Sequence, residues 1–331
     1  MIASASVATP LEPNFLRTRR VQVAVDTSGY CQARCAFCSW PELENRRRVM
    51  RLSEFAAMLR NLEGFTLHKF TFNVINEPFV DAGILDKLEM LISSGAKVTS
   101  LFFSSNWLAP SPAKVDRFAD LMRRAGQIEG FKGSSVNATV SGVDEETYDV
   151  LQAGRDLKNV VAPYRSLSFK KARSNVVRLA KRLSERYPDE GNVVLRIKGY
   201  GFDLPQERYE AYWRTVLTEG GVDPQYIDRR VAISMNLNFT TFARNGESAL
   251  GAGVCQGGWL EDKVVVGPDG RLGLCCHESG HQVQLGSLFT ARLQDIVATE
   301  EFQAQKRVTS GLDAPTRDHP CASCEFYAPA G

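Results

Sequence analysis

The 331-residue chain contains no run of about 18 apolar residues, so the sequence offers no membrane-spanning helix. Residues Met1 to Arg20 lack the ordered basic, apolar and cleavage regions of a secretory signal and are broken by Pro10 and Pro13. A charge excess is missing too: 40 Lys and Arg face 38 Asp and Glu, which excludes the basic surplus of a dedicated nucleic-acid binder. Internal repeats and low-complexity stretches are absent, and 44% apolar with 24% charged residues rules out collagen-like, coiled-coil and disordered chains. What remains is a cytoplasmic globular protein, with one large domain or a domain of about 200 residues plus a small appendix.

Cysteine is absent from residues 39 to 254 and confined to two groups. Cys31, Cys35 and Cys38 share one short stretch, and Cys255, Cys275, Cys276, Cys321 and Cys324 fall in the last quarter. Core cysteines would be scattered. In a reducing compartment such grouping reads as metal ligation or catalysis before disulfides.

From about residue 20 to 240 short β-branched or aromatic runs alternate with segments of helical period, which predicts βα units around a parallel sheet. The expected strands are Val21 to Thr27, His68 to Ile75, Val98 to Ser104, Ser134 to Val140, Val193 to Gly199 and Val231 to Asn238, each apolar enough to be covered on both faces. Expected helices include Ser53 to Leu62, with Ser53 as N-cap, and Ile84 to Leu91. Six units fall short of the eight in a closed barrel, so the expected fold is α/β, a partial (β/α)6 barrel with an open mouth. After a boundary near residue 245, the Gly-rich stretch Asn245 to Gly258 leads to a hairpin, Lys263 to Val266 and Arg271 to Leu274, turned by Gly267-Pro268-Asp269-Gly270. A helix near Leu293 to Gln303 and an irregular tail complete it. The expected division is therefore an extension (1–20), a barrel (21–245) and a small metal-stabilised segment (246–331).

Cys31, Cys35 and Cys38 form CxxxCxxC straight after the first strand, where parallel βα folds carry their chemistry. Three thiolates with no fourth cysteine for two hundred residues suit an iron–sulfur cluster with one open iron; a structural zinc site is the alternative but wants four protein ligands. Cys31-Gln-Ala-Arg-Cys35-Ala-Phe37-Cys38, with its aromatic Phe37, resembles the signature of the radical S-adenosylmethionine (SAM) superfamily. The resemblance implies a 4Fe-4S cluster whose open iron binds SAM, a 5′-deoxyadenosyl radical that abstracts hydrogen, and a partial (β/α)6 barrel.

Further marks recur at strand ends. Asn76-Glu77-Pro78 is similar to the family's Gly-Gly-Glu-Pro motif for the SAM amino group, with Ile75-Asn76 in place of the glycines. Ser104-Ser105-Asn106 stands where relatives carry Thr-Asn-Gly, and the segment from Thr139 and Ser141 to Tyr148 resembles one that contacts the SAM ribose. Arg155, Arg196 and Lys198 are candidate partners of the SAM carboxylate. Each residue alone is equally a cap, turn or solvated side chain.

The second group resembles the shortened SPASM domain called Twitch, which implies an auxiliary 4Fe-4S cluster on Cys255, Cys275, Cys321 and Cys324; a four-cysteine zinc knuckle is the alternative. Cys276 is left over. On a strand it would face away from Cys275, toward the barrel mouth, as a catalytic thiol; a buried apolar cysteine or an alternative ligand to Cys275 are the other readings. His277 and His281 read as loop residues. The basic runs Arg17 to Arg20 and Arg46 to Arg51 read as solvated faces or as a contact for an anionic substrate or electron donor.

The resemblance fixes the initiating chemistry and leaves its outcome to the pocket. The expected outcome is epimerisation of a small polar metabolite, such as a sugar, aminocyclitol or antibiotic intermediate, with Cys276 as hydrogen donor. Dehydrogenation of an alcohol or amine carbon through the auxiliary cluster is the alternative. Modification of a ribosomally made peptide is disfavoured, since about 20 residues precede the first strand and leave no room for a leader-binding domain. A flavodoxin or ferredoxin is the expected electron donor, with no nucleic-acid or membrane partner. The non-enzymatic alternative is a structural or sensing metal-cluster protein.

Overall fold

The computed structural model describes residues 11–33, 35, 38, 48–149, 168–185, 193–200, 204–236, 253–276, 283–324 and 326–329. In chain order the elements are α1 (Asn14–Thr18), β1 (Arg20–Val25), α2 (Leu52–Asn61), β2 (Thr66–Thr71), α3 (Ile84–Ser93), β3 (Ser100–Ser105), α4 (Pro112–Ala125) and β4 (Gly133–Thr139). There follow α5 (Glu145–Tyr148), α6 (Phe169–Ser184), β5 (Val193–Tyr200), α7 (Gln206–Glu219), α8 (Pro224–Arg230) and β6 (Val231–Asn236). The last part holds β7 (Gly253–Cys255), β8 (Lys263–Val266), β9 (Leu272–Gly273), α9 (Leu293–Val297), α10 (Glu300–Thr309) and β10 (Tyr327–Pro329).

β1 to β6 lie side by side in sequence order and pair in parallel throughout. Among the described residues the sheet does not close: β6 is an edge, and β1 takes β8 in parallel on its other side, with β9 antiparallel beyond. This is the expected open (β/α)6 barrel carrying a hairpin. The turn is built as its sequence predicts, with the Gly270 N–H donating to the Gly267 carbonyl at 2.9 Å and Gly270 at φ +79°. A Cβ on Gly270 would also sit 2.4 Å from the Phe289 ring. Leu285 and Gly286 continue the pairing onto Leu272. Leu260, Val264, Leu272 and Leu285 share one apolar core with Val21, Val23 and Leu195. The expected boundary at 245, the strand end at 237–238 and the Gly-rich residues 245–252 lie outside the described residues.

Three local expectations are corrected. First, the strands are not apolar on both faces. Val193, Leu195 and Ile197 of β5 pack into the helix-side core, whereas Val194, Arg196, Lys198 and Tyr200 alternate onto the inner face. On β3, Leu101 and Phe103 face the core and Ser100, Phe102 and Ser104 the other side. Second, α2 starts at Leu52, so Ser53 falls inside the first turn; the Glu54 carboxylate does the capping by accepting the Arg51 N–H at 2.8 Å and pairing with Arg48 and Arg51. Third, the helix expected over 293–303 is two, because the Thr299 hydroxyl caps a new start at α10. Among the described residues no helix is long and apolar enough to cross a membrane.

One buried ion pair fixes the crossover after β2. The Lys87 ammonium on α3 lies 2.7 Å from Asp81 Oδ2, both side chains almost wholly buried, and Asp81 Oδ1 accepts the Gly83 N–H at 2.8 Å. Removing one partner strands the other charge, so Lys87→Met should cost about 3–5 kcal/mol in urea unfolding of the apoprotein, with the Asp81→Asn/Lys87→Met double variant recovering most of it. A single variant as stable as wild type contradicts this.

Candidate active site

β1 ends at Val25 and runs into the loop that carries Cys31, Cys35 and Cys38, the position the spacing predicts. The chain returns beside its outgoing limb, with the Gly29 N–H on the Arg48 carbonyl at 2.7 Å and the Met50 N–H on the Thr27 carbonyl at 2.8 Å. Two hydrogen bonds tie this loop to neighbouring strand ends: the Glu77 N–H donates to the Tyr30 carbonyl at 3.1 Å, and Gln32 Nε2 donates to Asn106 Oδ1 at 3.0 Å.

Glu77 is the hub. Only 2% exposed, its carboxylate accepts the Ser105 hydroxyl at 2.8 Å, the Asn106 N–H at 2.8 Å and the Phe79 N–H at 3.1 Å. The sequence marked Glu77, Ser105 and Asn106 as separate contacts; the structure joins them, with Ser105 and Asn106 holding Glu77. Burial still outweighs the three donors and lifts the carboxyl to about 7. Beside it the buried Asn76 Oδ1 and Gln32 Oε1 have no partner.

Burial, with the neighbouring sulfurs and Glu77, raises the Cys31 and Cys35 thiols. Cys38 figures among the causes for both, which places the three sulfurs and Glu77 in one neighbourhood. Among the described residues no three Cys, His, Asp or Glu side chains are already gathered as a metal-binding set. Two tyrosines join this neighbourhood, Tyr148, which closes the marked segment from Thr139, and Tyr200, which the sequence did not mark. Tyr148 is fully buried, its hydroxyl lacks a partner, and after burial Cys35 and Glu77 raise it. Tyr200, at the end of β5, is raised by burial and then by Cys35. Their signal was positional, since both close segments at the same rim.

Of the remaining marked residues, Ser141 is buried and accepts the Tyr200 N–H at 3.1 Å, while Thr139 pairs in register with Lys198. The structure separates the two β5 cations. Lys198 lies nearer the rim; Arg196 is mid-strand, about 13 Å below Tyr200 along the strand, opposite Asn137. Phe37, Arg155, His277 and His281 lie outside the described residues.

The second cysteine group is assembled by an unexpected ribbon. β7 pairs antiparallel with β10, which puts Cys255 opposite Tyr327, and the turn Pro320–Ser323 holds Cys321 with its N–H on His319 Nδ1 at 3.1 Å. Cys255, Cys275 and Cys276 pack with Trp259 against Ala24 and Val265, inner-face residues of β1 and β8. The alternation expected for Cys275 and Cys276 does not hold, because β9 ends at Gly273 and both cysteines follow the bend at Leu274, packed on the same patch. Burial pushes the Cys276 thiol up to about 11; Cys255 and Cys324 add to this and Lys263 opposes it.

Residues 255–325 match the SPASM family, described as an iron–sulfur cluster-binding domain. No curated protein matches the chain. Among solved structures, Streptococcus suis SuiB bound to precursor peptide SuiA is similar at TM-score 0.53 and 13% identity, over 94% of this chain and 72% of that one. Native anSMEcpe with bound AdoMet is similar at TM-score 0.51 and 12% identity, over 93% of this chain and 92% of that one. BtrN in complex with AdoMet and 2-DOIA gives 0.48 and 10%, over 88% and 87%. At these identities the likeness is one of fold.

The Glu77 environment has a pH consequence. A carboxyl raised in the folded state holds its proton more tightly than in the unfolded chain, so its stabilising contribution is whole below about 4.5 and is lost as pH rises through about 7. The loss is on the order of 3 kcal/mol. Urea unfolding of the apoprotein from pH 5 to 8 should show that decline, and Glu77→Gln should flatten most of it; an unchanged slope in the variant contradicts the assignment.

Proposed function

We propose that this chain, a radical SAM protein with a C-terminal SPASM domain, removes a hydrogen atom from a small polar metabolite and returns one from Cys276, inverting a carbon centre. The observation that carries the reading is the tethering of the three-cysteine loop to Glu77, through Tyr30, and to Asn106, through Gln32. The donors suit the group: three thiols from one loop leave an iron without a protein ligand, and Glu77 with the orphaned Asn76 Oδ1 suits an ammonium. When bound, the reduced cluster and SAM supply a 5′-deoxyadenosyl radical.

The chain's residues take these parts. Cys31, Cys35 and Cys38 hold the first cluster, with Phe37 in the same loop. Glu77 and Asn76 receive the SAM amino group, Ser105 and Asn106 keep Glu77 in place, Thr139 and Ser141 stand at the ribose, and Lys198 with Arg155 faces the carboxylate. Cys255, Cys275, Cys321 and Cys324 hold the auxiliary cluster. The raised Cys276 thiol stays protonated at neutral pH and so has a hydrogen atom to give; the thiyl left behind regains one electron and one proton from the external reductant.

The packing of Cys276 beside Cys255 favours a second reading, dehydrogenation. As a ligand in place of Cys275, Cys276 would carry no S–H to donate, and the auxiliary cluster, when bound, would supply an electron acceptor for oxidation of the substrate carbon to a carbonyl or imine.

Anaerobic reconstitution should load roughly eight iron per chain, falling to about four in Cys31→Ala, which should also lose all 5′-deoxyadenosine formation under reducing conditions. Zinc in place of iron, or no nucleoside from the wild type, overturns the enzyme reading. In deuterium oxide, one solvent deuteron at an inverted carbon supports Cys276 as donor, and Cys276→Ala should then stop inversion while SAM cleavage continues. An oxidised product without that deuteron supports dehydrogenation.

A further inference from the structure

We infer that the inner face of the sheet between β2 and β5 binds an oxyanion, the phosphate or carboxylate group of the substrate, through Lys69, Arg196 and the Ser135 hydroxyl. This rests on the proposed enzyme reading for the word substrate, and on the geometry alone for the anion. A closed barrel fills its interior with layers of bulky branched side chains. Here the strand starts instead line a cavity of about 570 Å3 whose walls, among the described residues, carry Lys69, Lys132, Arg196 and Arg230 and no carboxylate.

Lys69 and Arg196 line this cavity from two different strands, β2 and β5. Thr71 pairs with Phe102, and Phe102 with Ser135, while Asn137 on the same face of β4 stands opposite Arg196. The Lys69 ammonium lies 4.9 Å from the centre of the Phe102 ring, which holds it on the inner face. Among the described residues neither Lys69, Arg196 nor Lys198 forms an ion pair with a carboxylate. Two buried hydroxyls on this face, Thr71 Oγ1 and Ser135 Oγ, have no hydrogen-bond partner, and Thr71 is only 7% exposed. Each is a donor with nothing to donate to.

The cations also act on one another. Burial lowers Lys69, and Lys263 and Arg196 lower it further; burial lowers Lys198, and Arg196 adds to it. Lys69 and Arg196, gathered with no described carboxylate lining their cavity and beside hydroxyl donors without a partner, have the field and the donors of an oxyanion site. Arg196 lies about 13 Å below Tyr200 along β5, so this site is separate from the ligand atoms that Glu77 would take.

Three probes of one size test this: glycerol phosphate, glycerate and glycerol, titrated calorimetrically into anaerobically reconstituted holoprotein at low ionic strength. Binding of glycerol phosphate or glycerate, with glycerol at least tenfold weaker, is expected; whichever anion binds tighter names the oxyanion. Lys69→Gln and, independently, Ser135→Ala should each weaken it at least fivefold, with Lys69→Arg retaining it. No anion binding, anion and glycerol binding alike, or wild-type affinity in either Lys69→Gln or Ser135→Ala overturns the inference. Reductive SAM cleavage by the same wild-type preparation separates the two claims. Cleavage without anion binding defeats only the oxyanion site, and anion binding without cleavage defeats only the enzyme reading.

Discussion

A carboxylate out of reach of water organises the rim of this sheet. Glu77 is held by donors from its own turn and from the end of β3, and its own N–H grips the cysteine loop through Tyr30. The three hydrogen bonds do not repay the loss of hydration, which is why the group sits near 7 rather than in the usual carboxyl range. Such a group is poised for a cation: an ammonium brought beside it supplies the charge that the chain withholds. The buried Lys87–Asp81 pair sets the turn that follows, so the hub is anchored from both sides in sequence.

The second constraint is the pairing of β1 with β8. Val25 stands beside Val266, and the Asp26 N–H donates to the Val266 carbonyl at 2.9 Å. Two segments more than two hundred residues apart thereby become adjacent strands, one leading to the first cysteine loop and the other to the hairpin before Cys275. The second cysteine group packs on the inner face through the apolar patch of Ala24, Trp259 and Val265, whereas between β2 and β5 that face carries Lys69, Ser135 and Arg196 beside Phe102 and Val194. The same alternation that builds the core turns these side chains inward.

Much of this was legible in the sequence. Six strands, their order, the hairpin turn and the place of the CxxxCxxC loop followed from periodicity, glycine and proline punctuation and cysteine spacing, because those signals are local. The hub was half visible: Glu77, Ser105 and Asn106 were marked, but their joining depends on how β2 and β3 sit side by side. The hidden parts were long-range. The β7–β10 ribbon joins short segments about seventy residues apart, and Tyr148 and Tyr200 reach the cysteines only once β4 and β5 are placed. The alternation expected of Cys275 and Cys276 fails because the strand ends at Gly273 and both pack on one patch. Apolar counts also hid the inner face, since Ser100, Ser104 and Arg196 occupy every second position within strands that otherwise read as hydrophobic.

The central claim is that the loop of Cys31, Cys35 and Cys38 leaves one iron free beside Glu77 for the amino group of SAM. Electron–nuclear double resonance of the reduced holoprotein with SAM labelled with nitrogen-15 at that amino group reads this directly. The expected result is a nitrogen hyperfine coupling to the cluster that is absent without SAM and greatly diminished in Glu77→Gln. A fully loaded, reduced protein that shows no such coupling contradicts it.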